Sequence, residues 1–423
     1  MAPVSRNSRN ETAVIIGGGV IGIACAHYLN EAGYQVTIIE KGAMAGACSE
    51  GNCGFICPSH ILPLATPDAI RNAAFSLFNP SAPFRVKFRF NSAFLSWMWQ
   101  FLRRCNSRKM IESAEYLKPI LDSSFAEYQT LLDDPDMACQ WQSSGLLYVL
   151  ESASGMRSFA KTDAVLADQF GVGARRIEGV DLAEYDPALR NGLAGAFHYL
   201  GDGHLRPDQL NRAWIERLSS HGVKFVENCS FQSLDADRGA VARLHTSKGP
   251  IKADHYILAA GALSAELASH FCTNLPIEPG KGYSVTMAQP DGGPKYPMLM
   301  PEHHIGVTPF EDGLRLGSMM EFVGFDRSIP DARLQQLRNS AKPYLRSSLP
   351  VRNQAAWCGW RPMTPDSLPI IGRAKGWNNV VFATGHNMLG MTLAPATGKL
   401  VAELIGGMTP HIDPQPFAPT RFH

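Results

Sequence analysis

Residues 12–40 read TAVIIGGGVIGIACAHYLNEAGYQVTIIE. The four apolar residues Ala13-Val14-Ile15-Ile16 are short enough for a strand buried on both faces. Gly17, Gly19 and Gly22 then satisfy G-x-G-x-x-G: the first allows a tight turn, the second a close approach of phosphate to backbone, the third helix-on-strand packing. Ile21, Ala24, Cys25, Tyr28 and Leu29 follow at helical spacing, with Gly33 placed to end the helix. A second buried run, Val36–Ile39, leads to Glu40, 18 residues beyond Gly22, where a carboxylate would hold a ribose hydroxyl. Strand, turn, helix, strand and acid stand in the order of a dinucleotide-binding βαβ unit; the alternative is a Rossmann-like half without ligand.

At 423 residues the chain is long for one core and suggests two or three domains. With 45% hydrophobic and 18% charged residues it reads as folded and soluble, and a net charge of +1 gives no field to recruit nucleic acid. Residues 1–11 are polar without a secretory apolar core, and no run of 18 apolar residues occurs, so a cytoplasmic location is expected. The nine scattered cysteines read as free thiols; Cys48, Cys53 and Cys57 cluster, but at no zinc or iron–sulfur spacing, so no metal is expected.

After Glu40, residues 41–54 form a small-residue loop too long for a turn, of the kind whose amides line a ligand. Phe84–Lys109 carries Arg85, Lys87, Arg89, Arg103, Arg104, Arg108 and Lys109 without an acid, around a helix expected at Ser92–Arg104. A core-facing helix with a solvated basic flank is expected there, with peripheral docking on an anionic membrane as the alternative. A helical pattern continues through Glu112–Leu132, and Gln142–Leu150 reads as a strand. Pro207 opens a helix that Gly222 closes; Val223–Val226, Phe231 and Tyr256–Ala260 are strand-like. Pieces at Tyr283–Met287, Ile305–Pro309 and Leu314–Met319 suggest an antiparallel sheet, followed by a helix at Asp331–Tyr344. A strand at Val380–Thr384, a loop Gly385–Thr392 and a helix Pro395–Ile405 end the pattern. The fold class is α/β: a Rossmann-like domain from residues 1–80, 190–275 and 355–423, and an α+β domain on an antiparallel sheet from 81–189 and 276–354.

These segments together resemble the FAD-dependent D-amino-acid oxidase superfamily, its D-amino-acid dehydrogenase branch (small-subunit type) more closely. The resemblance rests on GGGVIG with Glu40, SEGNCGFI, LAAG, KGYS, GSMMEFVGFD, WCGWRPMTPDSLPIIG and TGHNMLGMTLAPATGKLVAELIGG. It implies noncovalent FAD, held by Gly17, Gly19, Val20, Ile21, Gly22, Glu40, Lys41, Ala47, Cys48, Asn52, Cys53, Gly54, Phe231, Ala260, Gly261, Arg361, Gly385, Leu389, Gly390, Met391 and Thr392. Oxidation of an amino acid at its α-carbon needs position and charge more than acid–base groups. Arg361 matches the family's carboxylate-binding arginine in W-x-G-x-R-P, a guanidinium being able to grip both oxygens; the alternative is a structural ion pair. Tyr283 would give a phenolic hydrogen bond or simply pack, Glu321 would meet the substrate's amino group or a side-chain cation or equally serve structurally, and His60 would face the pocket or be structural. Related glycine and sarcosine oxidases often carry a second basic residue where this chain has Met388, which weakens a two-cation clamp.

The implied reaction is FAD-dependent oxidative deamination of a D-amino acid or a cyclic imino acid such as D-hydroxyproline, with electrons passed to a quinone or other carrier. An oxygen-using glycine or sarcosine-type oxidase and a non-catalytic flavoprotein subunit are the alternatives.

Overall fold

The computed structural model describes residues 10–67, 84–87, 89–350 and 355–422. Thr12–Ile16 sits at the centre of a six-stranded sheet, paired in parallel with Gln35–Ile39 on one side and His255–Leu258 on the other. Lys224–Val226 and Val380–Thr384 extend it in parallel, and Ile370–Arg373 closes one edge antiparallel. The central strands are buried on both faces, as near-continuous Val and Ile runs require. Helix Val20–Glu31 covers one face and packs on the C-terminal helix Gly390–Gly406. Their close approach depends on Gly398, where a Cβ would lie 2.4 Å from the Ala24 carbonyl oxygen.

The second layer is a nine-stranded, mainly antiparallel sheet running through Ala355–Met363, Glu278–Met287, Gly313–Phe322, Ile305–Phe310, Met298–Met300, Leu146–Leu150, Gly195–Tyr199 and Arg175–Glu178. Its two parallel pairings are Phe84–Val86 on Gly313–Phe322 and Met298–Met300 on Leu146–Leu150. The chain is thus a mixed α/β fold, a Rossmann-like sheet beside an antiparallel one. Gly195–Tyr199 and Ala355–Met363, which the sequence division groups with the dinucleotide domain, hydrogen-bond in the antiparallel sheet.

Three local expectations shift. The helix read at Pro395–Ile405 begins at Gly390, with Pro395 inside it. A proline removes the bond to the carbonyl four residues back, and here Tyr128 Oη donates to that carbonyl, Met391 O, at 2.6 Å. Ser124 Oγ donates to Thr392 O next to it, also at 2.6 Å. Both hydroxyls come from helix Ser107–Leu132, so tertiary packing repairs what the sequence marks as a break. The helix read at Asp331–Tyr344 ends at Ala341, and the strand read from Gln142 starts at Leu146.

Helix Ser92–Arg104 forms over the expected residues. Phe94, Trp97 and Phe101 face the core. Leu95, Trp99 and Leu102, at i, i+4 and i+7, form a second apolar stripe that is exposed, Trp99 at 58%, and Phe90, just before the helix, is 93% exposed. The core-facing expectation therefore describes one stripe of two. All nine cysteines are free, and among the described residues no cluster is placed to hold a metal and no helix is long and apolar enough to cross a membrane.

Candidate functional site

The three motif glycines do different work. A Cβ on Gly17, whose φ is +118°, would lie 2.4 Å from Ala259 O, and one on Gly22 would lie 2.0 Å from Gly17 O. Both are demanded by the packing of strand and helix. A Cβ on Gly19 meets only Ser49 Oγ at 3.4 Å and otherwise opens into a cleft. The cleft is what needs that position empty. Helix Val20–Glu31 has no acid in its own first turn, and its positive end faces the cleft. Glu40 ends its strand with Oε2 accepting from Gly18 N at 2.9 Å and Oε1 from Gly42 N at 3.1 Å.

Gly17, Gly19, Val20, Ile21, Glu40, Lys41, Ala47, Cys48, Asn52, Phe231, Ala260, Gly261, Arg361, Gly390 and Met391 all line this cleft. Cys53, Leu389 and Thr392 line an adjoining cavity instead. Gly22, Gly54 and Gly385 line neither. Gly54, at φ +80°, lets its loop pass the Leu205 carbonyl, 2.0 Å from where a Cβ would stand. Gly385, at φ +71°, clears Thr364 in the same way. The sequence reading omitted Ser49, which accepts from Val20 N at 3.0 Å, and the loop residues His386 and Asn387. Ser49 stands within SEGNCGFI, so its motif was visible although its contact was not. Asn387 ties the loop to the neighbouring strand end, accepting from Thr364 N at 2.9 Å and donating to Gly385 O at 2.9 Å. His386, pushed down to about 3 by burial, is neutral and bonds Thr397 Oγ1 at 2.9 Å.

Cys48, Asn52, Met388 and Arg361 line both cavities. Arg361 stands on the strand Ala355–Met363, opposite Gly280 of Glu278–Met287. Its guanidinium lies over Gly282, where a Cβ would come within 2.1 Å of Nη1. The register between Glu278–Met287 and Gly313–Phe322 slips near Lys281, and Met319 takes φ +62°. Such bulges re-aim backbone beside functional sites. Here Arg361 Nη1 donates to the Met319 carbonyl at 2.9 Å. No carboxylate among the described residues pairs with Arg361. Burial works against its charge, yet a guanidinium stays protonated in proteins. An unpaired, recessed cation is a built site for an anion.

Tyr283 and His60 also line the second cavity, with Trp357 above Gly359. Glu321 does not. Its Oε2 accepts from Tyr283 Oη at 2.6 Å, and its Oε1 lies 2.5 Å from Arg333 Nη2 of helix Asp331–Ala341. Of the readings the sequence leaves open for Glu321, these contacts favour the structural one: its charge is matched within the protein, and it holds Tyr283. Burial first, then the bond to Glu321, keeps Tyr283 protonated. Because that proton points at Glu321, the phenol presents lone pairs to the cavity and accepts, where the sequence suggested that it donates.

Residues 12–404 match the family described as FAD dependent oxidoreductase. The chain belongs to this family. Solved structures with the same fold include glycine oxidase from Geobacillus kaustophilus, at 22% identity and TM-score 0.78 over 97% of this chain and 99% of that one. L-proline dehydrogenase from P. horikoshii follows at 21% and 0.72, over 98% of each chain. An FAD-bound L-α-glycerophosphate oxidase from Mycoplasma pneumoniae matches at 19% and 0.70, over 94% of this chain and 95% of that one. FAD is the cofactor of this oxidoreductase, and the open position at Gly19 beside the positive helix end suits its pyrophosphate.

Proposed function

We propose that this flavoprotein is a dehydrogenase of the D-amino-acid dehydrogenase branch. It oxidises a small neutral D-amino acid or a cyclic imino acid such as D-hydroxyproline and passes the electrons to a quinone or other carrier. The observation that carries this reading is Arg361, a recessed guanidinium without a carboxylate partner among the described residues, at the junction of the two cavities. Bound FAD supplies the hydride acceptor. Arg361 grips the substrate carboxylate through two parallel bonds, fixing the α-carbon. Tyr283 accepts from the substrate's N–H. Besides Arg361, no charged side chain among the described residues lines the second cavity, only groups such as Phe55, Leu299, Trp357 and a His60 that burial keeps neutral, which suits a small uncharged side chain. The positive end of helix Gly390–Gly406, with no acid in its first turn, borders the cleft.

The deciding experiment is anaerobic mixing of the purified yellow protein with panels of D- and L-amino acids and imino acids, following the loss of flavin absorbance. Bleaching by small neutral D-substrates, with reoxidation by a quinone faster than by air, is expected. Bleaching confined to glycine or sarcosine with rapid reoxidation by air would replace this reading with an oxidase, and no bleaching by any amino or imino acid would end it.

The same reading places the enzyme on the cytoplasmic side, resting on anionic lipid. Its support is the outward stripe Leu95, Trp99 and Leu102 with Phe90, the Arg103 guanidinium 4.5 Å over the Trp99 ring, and the absence of any acid in Phe84–Lys109. Each basic residue at an anionic surface contributes about 1 kcal/mol, so replacing Arg103, Arg104 and Arg108 with Gln should weaken binding roughly 10²-fold. Cosedimentation with phosphatidylglycerol vesicles in low salt measures this. Pelleting unchanged by the substitutions, or absent in the wild type, removes the docking role.

A further inference from the structure

Behind the substrate cavity a run of buried polar side chains leads away from His60. The His60 ring borders the cavity, its Nδ1 lies 3.5 Å from Tyr148 Oη, and its Nε2 makes no hydrogen bond among the described residues. Tyr148 in turn stands next to the Ser59 hydroxyl. Ser59 Oγ donates to Asp202 Oδ2 at 2.5 Å, and Ser59 N donates to Oδ1 at 3.0 Å. Asp202 has no exposed surface, and no cation pairs with it among the described residues. Three segments distant in sequence thus converge on one line: the turn after Phe55–Ile56, the strand Leu146–Leu150, and the turn that follows Gly195–Tyr199. An asparagine would hold Ser59 in place without the cost of burying a carboxyl. The acid therefore calls for a use.

We propose that His60 takes up the proton an amino-acid substrate must shed, and that Tyr148 and Ser59 pass it on to Asp202. This rests on the amino-acid reading above. A substrate arriving as an ammonium ion holds its nitrogen lone pair in an N–H bond, and that pair is needed as the α-C–H bond breaks. One N–H bond of the ammonium breaks as His60 Nε2–H forms. The proton on Nδ1 moves to Tyr148 Oη, the phenolic proton to Ser59 Oγ, and the hydroxyl proton to Asp202 Oδ2. The carboxylate ends as a carboxylic acid, the three carriers end neutral, and no electrons move. His60 touches the substrate space and is the catalytic residue of the set; Tyr148, Ser59 and Asp202 act through it.

The charge states agree with this order. Burial holds His60 below its ordinary range, so the imidazole is neutral and free to accept. Burial pushes Asp202 up to about 7 even against its two bonds from Ser59, so it takes or gives a proton near neutrality. Cys57, Tyr148 and Tyr199 face this group, and burial keeps each protonated and uncharged. Asp163 stands beyond Tyr199, whose hydroxyl donates to it at 3.0 Å.

The test is the pH profile of kcat/KM, and of anaerobic flavin reduction, in the FAD-loaded enzyme. In the wild type both should rise as pH increases through about 7, as the acceptor ionises. In Asp202→Asn and Tyr148→Phe the rate at neutral pH should fall roughly 10²-fold, as general base catalysis is lost. It should recover at about pH 10, where the substrate brings a free amine. A purely structural role would lower the rate at every pH. Tyr148→Phe keeps the ring packed on Phe159 and Tyr199, at centroid distances of 4.8 and 5.3 Å, so it carries the test if Asp202→Asn fails to fold. Variants that track the wild type at all pH values, or a wild-type profile set by the substrate amine alone, overturn the relay while leaving the amino-acid reading intact. A wild-type flavin that no amino or imino acid reduces fails that reading first, and the relay with it.

Discussion

Arg361→Ala is expected to keep its FAD and to lose most of its kcat/KM toward amino-acid substrates. The guanidinium anchors the carboxylate, and the anchor holds the α-C–H bond in line for reaction. A charge-assisted bidentate pair in a partly dry pocket contributes about 2–5 kcal/mol, or roughly 30- to several-thousand-fold in rate. Arg361→Lys should recover only part, because an ammonium is a point charge and cannot set the carboxylate's plane. Gly282→Ala offers an independent check. Its new methyl would fall 2.1 Å from Nη1, displacing the guanidinium from Met319 O without removing its charge. That variant should lie between wild type and Arg361→Lys. Stopped-flow flavin reduction at subsaturating substrate, with FAD content and melting temperature as controls, reads all three. Near-normal reduction by Arg361→Ala would assign the carboxylate to another residue.

The βαβ unit was legible because every part of it is local. Glycine spacing, two buried runs and the acid at their end lie within one stretch, and Thr12–Ile16, Val20–Glu31 and Gln35–Ile39 form where the pattern puts them. What the sequence hides is set by partners far along the chain. Pro395 reads as a helix boundary, but Tyr128 and Ser124 supply donors to the carbonyls near it and the helix runs through. Glu321 reads equally as an acid for a substrate amine and as a structural one, because Arg333 reaches it from a helix whose docking no periodicity encodes. The bulge at Met319 depends on a slip of register between two strands, and nothing in GSMMEF marks a positive φ at a methionine. The aromatic helix gave its existence and bounds at once. Its division into a covered and an uncovered stripe needed the sheet behind it.

A similar gap separates the motif glycines, which look alike in sequence and are not alike in the fold. Gly19→Val should fold and lose FAD. Its backbone, at φ −78° and ψ 177°, is a conformation any residue adopts, and the new Cβ meets only Ser49 Oγ, at 3.4 Å. The side chain points instead into the cleft, where it keeps the pyrophosphate from the positive end of helix Val20–Glu31. Two hydrogen bonds to a charged group contribute about 3–6 kcal/mol together, so FAD affinity should fall roughly 10²- to 10⁴-fold. Gly17→Val and Gly22→Val differ in kind, since their Cβ atoms would stand 2.4 and 2.0 Å from backbone oxygens. Those two should yield little folded protein even with excess FAD. The ratio of flavin to protein absorbance, with melting curves set against FAD-stripped wild type, separates the classes. Gly19→Val should melt with the stripped wild type and purify colourless. A stoichiometric yellow Gly19→Val protein would move the pyrophosphate away from this helix end, and Glu40 with it.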